Sequence, residues 1–265
     1  MRRLSMLAAT AVLLAGCLGP GAPSATLRPT PPALEPSDPP RPVRYVALGD
    51  TFTNGDGLPR QADRWPTQLV RALRPEIPLD LVDNLAGQSH GTFDVIDEQL
   101  PVLEELAPDL VTLQVGVNDI VIAGGLSEEE YRQNLVTILD GRDGPASQAR
   151  AGILDLVDAR HVVLVTSPDY TLLPGQRFGG DPQKVDAFNA ILQDVATARG
   201  IAVVDISPIA DLMARDRTLV TDDGRHPSAK QYAGWVELIA PVVHSLLDPD
   251  PTPSPSGGPS GAVVG

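Results

Sequence analysis

The sequence predicts a three-layer α/β domain over residues 43–248, a parallel sheet covered by helices on both faces. Short β-rich runs alternate with segments whose apolar residues recur at helical spacing, the pattern of successive β–α–β units. Proline is concentrated outside this region: of 27, nine fall between Leu18 and Pro42 and five between Pro249 and Pro259. Between them lies a stretch long enough to bury a core. The first β-rich run, Arg44 to Leu48, stops at Gly49-Asp50-Thr51 and so presents a hydroxyl next to a carboxylate. The C-terminal edge of an open parallel sheet is where ligands bind. Strand-Gly-Asp-Thr is also an ordinary turn, with Asp and Thr capping amides.

Taken in order, the chain begins with Arg2 and Arg3, an apolar run from Leu4 to Ala15, and Leu14-Ala15-Gly16-Cys17. A basic start, a short apolar stretch and small residues before a cleavage point make residues 1–17 a secretory signal peptide, too short to span a membrane. The Leu-Ala-Gly-Cys ending resembles a bacterial lipobox, in which the cysteine carries lipid; the alternative is a plain signal peptide with an incidental cysteine. Cys17 is the only cysteine, so no intramolecular disulfide is possible. Residues 18–42 and 249–265 lack apolar periodicity and read as flexible tethers, the second a disordered Pro/Ser/Gly tail. The expected location is extracytoplasmic, anchored to the cell membrane through a lipidated Cys17. A net charge of −14 argues against nucleic acid as a partner.

Within the domain, Trp65 to Leu73 is a helix and Leu79 to Leu85 a second strand. From Thr92 to Leu106 a helical stripe of Val95, Ile96, Leu100 and Leu103 is interrupted by Pro101, which should kink or restart it. Leu110 to Val115 is the third strand. Ser127 and Glu130 form a capping box that opens a helix burying Tyr131, Leu135 and Ile138. Ile153 to Val157 belongs to another helix, and His161 to Thr166 is the fourth strand. Asp181-Pro182 starts a helix with the stripe Val185, Phe188, Leu192 and Val195, which Gly200 stops. Ile201 to Asp205 is the fifth strand. The last helix, Pro227 to Leu247, buries Tyr232, Val236, Ala240 and Val243, with a kink expected at Pro241.

The polar clusters follow strand ends or precede the last helix: Thr51, Ser89, Asn118, and finally Thr221-Asp222-Asp223-Gly224-Arg225-His226-Pro227. Asp223 stands three residues before His226, so a tight turn lets the carboxylate receive the Nδ1 proton and leaves Nε2 free to take one from a hydroxyl. Acyl transfer needs a hydroxyl nucleophile, such a base, and donors for an oxyanion. The Asn118 side chain and the amides of Thr51 and Ser89 are the candidate donors.

Four blocks in this order and spacing resemble the SGNH or GDSL hydrolases: Gly49-Asp50-Thr51, Asn84 to Thr92, Gly116-Val117-Asn118-Asp119 and Asp223-Gly224-Arg225-His226-Pro227. The resemblance covers nearly the whole domain. It implies a flavodoxin-like five-stranded sheet in the order 2-1-3-4-5 and hydrolysis of an ester without a cofactor. The substrate would be a small molecule, lipid or acylated glycan. Thr51 would be the nucleophile, His226 and Asp223 the base pair, and Thr51, Ser89 and Asn118 the oxyanion hole, with Asp50, Gly116 and Asp119 in support. Two positions depart from the pattern. The nucleophile is normally serine, and a β-methyl stiffens χ1; misplacing the hydroxyl slows attack by about 100- to 10,000-fold. The second-block glycine aligns with Ser89, unless a slip puts Gly87 or Gly91 there. A catalytically degenerate module binding an envelope glycan or lipid is the competing expectation.

Among other residues, His90 lies beside the expected pocket, His161 and His244 read as structural, and Asp50 and Asp119 hold loops through backbone amides. Phe52, Phe93 and Phe178 are candidate pocket or core aromatics. Asp222, Asp223 and His226 have no further His or Cys nearby, so no metal is expected.

Overall fold

The structure, a computed structural model, describes residues 41–121, 125–144, 149–173 and 181–248. They belong to one structural unit that begins at Arg41. Cys17, Phe178, nearly all of the first proline-rich tether and all of the second lie outside the described residues.

In chain order the principal elements are β1 Val43–Gly49, α1 Thr51–Asn54, α2 Trp65–Leu73, β2 Leu79–Asn84, α3 Thr92–Asp94, a π-helical turn Val95–Gln99 and α4 Leu100–Leu106. Then come β3 Leu110–Gln114, α5 Val117–Val121, α6 Glu128–Asp140, α7 Ile153–Leu156, β4 Val162–Val165, α8 Pro182–Thr197, β5 Ala202–Val204, α9 Ser207–Ala210 and α10 Ala229–Leu247. All four strand pairings are parallel, and the order is β2-β1-β3-β4-β5. Helices cover both sides, α2 packing with α10 and α6 with α8. The fold is the one expected.

Burial explains this order. Every residue of β3 and β4 is buried, as befits the centre of a parallel sheet covered on both faces, and the two polar ones, Thr112 and Gln114, are hydrogen-bonded. The outer strand β2 is only partly covered, exposing Asp80 and Asp83, and such charges keep an edge from recruiting another strand. Because β1 lies between β2 and β3, the chain leaves it in one direction and later returns on its other side. The crevice above the strand ends opens at that reversal. The segments after β1 and after β3 meet there, which brings the Thr51 and Asn118 loops together.

Three local differences have clear causes. After Gly49 the chain forms α1 instead of a bare turn, because Asp50 Oδ1 accepts the Phe52 amide at 2.9 Å and caps the helix. At Pro101 the helix restarts as α4, and what differs is the form: one π turn precedes it, Leu100 bonding back to Val95. In α10 the chain stays helical through Pro241, and the buried stripe is Tyr232, Trp235, Val236, Ile239 and Val243, leaving Ala240 only partly covered. Two tryptophans, Trp65 of α2 and Trp235 of α10, are fully buried in the main core.

Candidate active site

Thr51 is the first residue of α1, where helical amides have no partner within the helix. It is 8% exposed. Its Oγ1 accepts hydrogen bonds from the Ser89 amide at 2.9 Å and the Asn118 Nδ2 at 3.3 Å. So two of the three donors named from sequence, the Ser89 amide and the Asn118 side chain, converge on one oxygen, and that oxygen is the hydroxyl of the third residue, Thr51. The same Asn118 nitrogen donates to the His90 carbonyl at 2.8 Å, which orients the amide. Ser89, rather than Gly87 or Gly91, supplies the amide facing Thr51. It does so at φ 59°, in the left-handed region.

The loops are fixed from behind. Asp119 accepts the Thr92 amide at 3.0 and 3.1 Å and the Thr92 hydroxyl at 2.6 Å, tying the third block to the second. Burial raises the Asp119 carboxyl, and the Thr92 bonds oppose that rise. Asn84 donates to the Thr53 carbonyl at 2.9 Å, so the second block also holds α1. Gly116 has φ 142°, and a Cβ there would lie 2.8 Å from the Tyr131 hydroxyl, which donates to Val115 at 2.9 Å. Asp50 is fully buried, and its Oδ2 has no hydrogen-bond partner among the described residues. Burial lifts its carboxyl to about 8; the Phe52 amide opposes the shift and the charge of Asp119 adds to it.

Residues Thr221 to His226 form a tight turn closed by the Thr221 amide on the His226 carbonyl at 2.8 Å and by a bridge between Val220 and Pro227. Asp223 Oδ1 accepts from Thr221 Oγ1 at 2.7 Å and from the amides of Arg225 and His226 at 2.8 and 3.1 Å. Asp223 Oδ2 lies 2.6 Å from His226 Nδ1. Partial burial works against the Asp223 charge, but the bonds from His226, Thr221 and the two amides outweigh it and hold the carboxyl well below the usual range. That geometry assigns the Nδ1 proton to the carboxylate side and leaves Nε2 without it.

Thr51 and His226 line one cavity of about 380 Å³, together with Phe52, Asp56, Gln88, Ser89, Val117, Asn118, Val121, Tyr170 and Arg225. The Phe52 ring meets the His226 ring edge-on, centroids 6.4 Å apart, and the Phe52 carbonyl accepts the Tyr232 hydroxyl of α10 at 2.7 Å. This contact docks the helix that follows His226 onto the helix that starts at Thr51.

Other named residues sit elsewhere. The His90 ring does not line the cavity; its Nδ1 faces Gln99 Nε2 at 3.0 Å, and only its carbonyl serves the site. Phe93 is 54% exposed, and Phe52 lines the cavity. His244 pairs with Glu76 at 2.7 Å on the surface, and His161 ends a short turn before β4. No group of three His, Cys, Asp or Glu that could hold a metal occurs among the described residues. Likewise, no helix among them is long and apolar enough to cross a membrane.

Sequence reasoning missed two kinds of residue. Gln88, Val121, Tyr170 and Arg225 lie on loops or helix ends with no periodic signal. Gln99 did carry one, being the polar member of the otherwise apolar stripe of Val95, Ile96, Leu100 and Leu103. Its side chain accepts the Gly49 amide at 2.9 Å and donates to the Gly49 carbonyl at 2.7 Å, anchoring the end of β1 just before Asp50.

Comparison with known proteins agrees with this architecture. A lipolytic protein of the G-D-S-L family from Desulfitobacterium hafniense superposes with TM-score 0.58 at 19% identity, covering 76% of this chain and 99% of that one. The lipase/acylhydrolase from Enterococcus faecalis gives 0.56 at 20% identity over 78% and 98%. An acetyl xylan esterase from Geobacillus stearothermophilus gives 0.55 at 16% identity over 76% and 94%. At such identities the likeness concerns the fold. Among curated proteins none matches the chain. The model of the GDSL-like lipase/acylhydrolase family matches residues 47–233, most of the chain and all four blocks, and the protein belongs to that family.

Proposed function

We propose that this protein hydrolyses carboxylic esters, with Thr51 as nucleophile and His226 as its base. The observation that carries the reading is the convergence of the Ser89 amide and Asn118 Nδ2 on Thr51 Oγ1, in a cavity also lined by His226, whose Nδ1 is paired with Asp223. A substrate carbonyl oxygen entering the cavity takes over those two donors, joined by the Thr51 amide. The displaced hydroxyl then turns about Cα–Cβ toward His226 Nε2. His226 removes its proton as Oγ1 adds to the carbonyl carbon, and the three donors hold the oxyanion. The tetrahedral intermediate expels the alcohol, which takes the proton from His226. Water, deprotonated by the same imidazole, then releases the acid and frees Thr51. Asp223 keeps the ring in the required tautomer and stabilises its charged form.

One observation favours a second reading, a scaffold that binds an envelope glycan or lipid without turning it over. The Thr51 hydroxyl rests on the oxyanion donors rather than on His226, and its methyl restricts the rotation that attack needs. Hydrolysis of short- and medium-chain nitrophenyl esters separates the two. For the enzyme, wild type is active, Thr51→Ala and His226→Ala are silent, and Thr51→Ser is faster by about 100- to 10,000-fold. Silence in wild type with activity in Thr51→Ser identifies a disabled scaffold, and silence in all four variants refutes the hydrolase reading.

The same proposal places the domain outside the cytoplasm, held to the membrane through lipid on Cys17, where its ester substrates would be acylated glycans, lipids or small molecules. Support comes from the basic start, the apolar run and Leu14-Ala15-Gly16-Cys17. Cys17→Ser should move the protein from the membrane to the soluble fraction. A variant that stays in the membrane pellet removes the anchor.

A further inference from the structure

We propose that Gly57 is a positioning residue that fixes the Asp223–His226 pair relative to Thr51; its consequence for turnover rests on the hydrolase reading above. Gly57 has φ 77°, and a Cβ built on it would stand 2.6 Å from Asp223 Oδ2, 2.9 Å from Thr221 Oγ1 and 3.2 Å from His226 Cβ. Real Cβ atoms essentially never approach within 3.0 Å. Asp223 Oδ2 is the atom that faces His226 Nδ1 at 2.6 Å. The other carboxylate oxygen is held by three donors, Thr221 Oγ1 and the amides of Arg225 and His226. The carboxylate therefore cannot pivot away from a new methyl without giving up several bonds at once. The displacement falls on the Oδ2–His226 contact.

The other end of the Gly57 segment is bound to the hydroxyl-bearing residue. The amides of Gly55 and Asp56 both donate to the Thr51 carbonyl, at 3.0 and 3.3 Å. Residues 55–57 thus run from the Thr51 backbone to the face of the Asp223 carboxylate. They set the spacing between the two halves of the site as a rigid shim would, and only a residue without a side chain is thin enough. Nothing in the four blocks assigns this task to position 57.

The test compares full-length wild type, Gly57→Ala, Gly57→Asn and Gly200→Ala. Gly200 has φ 68°, and no atom of the described residues lies within 4 Å of the place a methyl would occupy, so its alanine variant carries the backbone strain without the collision. Asparagine tolerates the left-handed region, so Gly57→Asn carries the collision with less strain. The readouts are the ring-nitrogen chemical shifts of His226, assigned by their loss in His226→Ala, and ester turnover. Both Gly57 variants should change the Nδ1 shift and lower kcat by about 100-fold with KM within about a factor of two, as expected for a small misplacement. Gly200→Ala should match wild type in both. If either folded Gly57 variant keeps the wild-type ring shifts, or Gly200→Ala changes them equally, the assignment is overturned. Should Gly57→Ala fail to fold, Gly57→Asn decides. If the ring shifts respond as expected while no variant hydrolyses an ester, the positioning stands and the hydrolase reading fails.

Discussion

Thr51 carries one methyl more than a serine, and that methyl limits its hydroxyl to fewer rotamers, which bears on the rotation that the proposed mechanism begins with. The hydroxyl rests on Ser89 and Asn118, so the ground state has already used the donors that the transition state needs. Ser89 adds its own cost: a non-glycine residue at φ 59° is strained by about 1–2 kcal/mol. Residue types and positions at strand ends were enough to name these groups from the sequence, because topology sends every strand end to one edge. Tyr170, Gln88 and Arg225 could not be found that way, since loop residues have no period to read. Asp50 yields a prediction at this scale. In the unfolded chain its carboxyl ionises above about pH 4, but burial keeps the native group protonated up to about 8. Around it lie Asp119 and the buried hydroxyls of Tyr131 and Tyr232, whose own ionisation the Asp50 charge disfavours. The native state then binds the extra proton between those limits, so this group's contribution falls as pH rises through the window, by about 1.4 kcal/mol per unit. Asp50→Asn cannot titrate and still caps α1. Urea unfolding at pH 5 and pH 7 should therefore show the variant gaining on wild type at the higher pH; an unchanged difference would falsify the assignment.

At the scale of elements, the Val95–Gln99 turn has a sequence cause and a structural use. Pro101 lacks an amide proton and its ring crowds the preceding turn, so an interruption was legible in the sequence. The form it takes was not, because a kink, a restart and a π turn all satisfy the same constraint. The π turn comes just where Gln99 points inward to pair with both backbone groups of Gly49. Gln99→Leu keeps the bulk but strips the buried Gly49 amide of its partner and leaves the Gly49 carbonyl only the Gly87 amide at 3.4 Å, at a cost of about 1–3 kcal/mol. Its denaturant midpoint should fall accordingly at unchanged m-value, with ester turnover falling as β1 loses its fixed end. Stability equal to wild type would mean the two groups find other partners. The capping box at Ser127 and the proline-led start of α8 were readable because caps are local. Ala240 was assigned to the buried stripe of α10 by periodicity alone, and Trp235 and Ile239 take that place because α10 also packs on α2.

For the whole molecule, alternation of β-rich and helical segments decided the class, but the strand order came only from resemblance. Nothing in the composition of a strand says which neighbour it takes, beyond the charged edge of β2 and the wholly buried centre of β3 and β4. The acidic balance of −14 bears on partners and solubility and leaves topology untouched. The same topology has a consequence in time. The hydroxyl comes from the first strand's end, while the imidazole arrives only at position 226, and the helix that seats it docks through Tyr232 onto the Phe52 carbonyl. A nascent chain thus has one half of its chemistry and no counterpart. On the proposed mechanism the protein stays inert while it is being made, and the site is completed only as a late event, when the C-terminal helix docks onto the helix that follows the N-terminal strand.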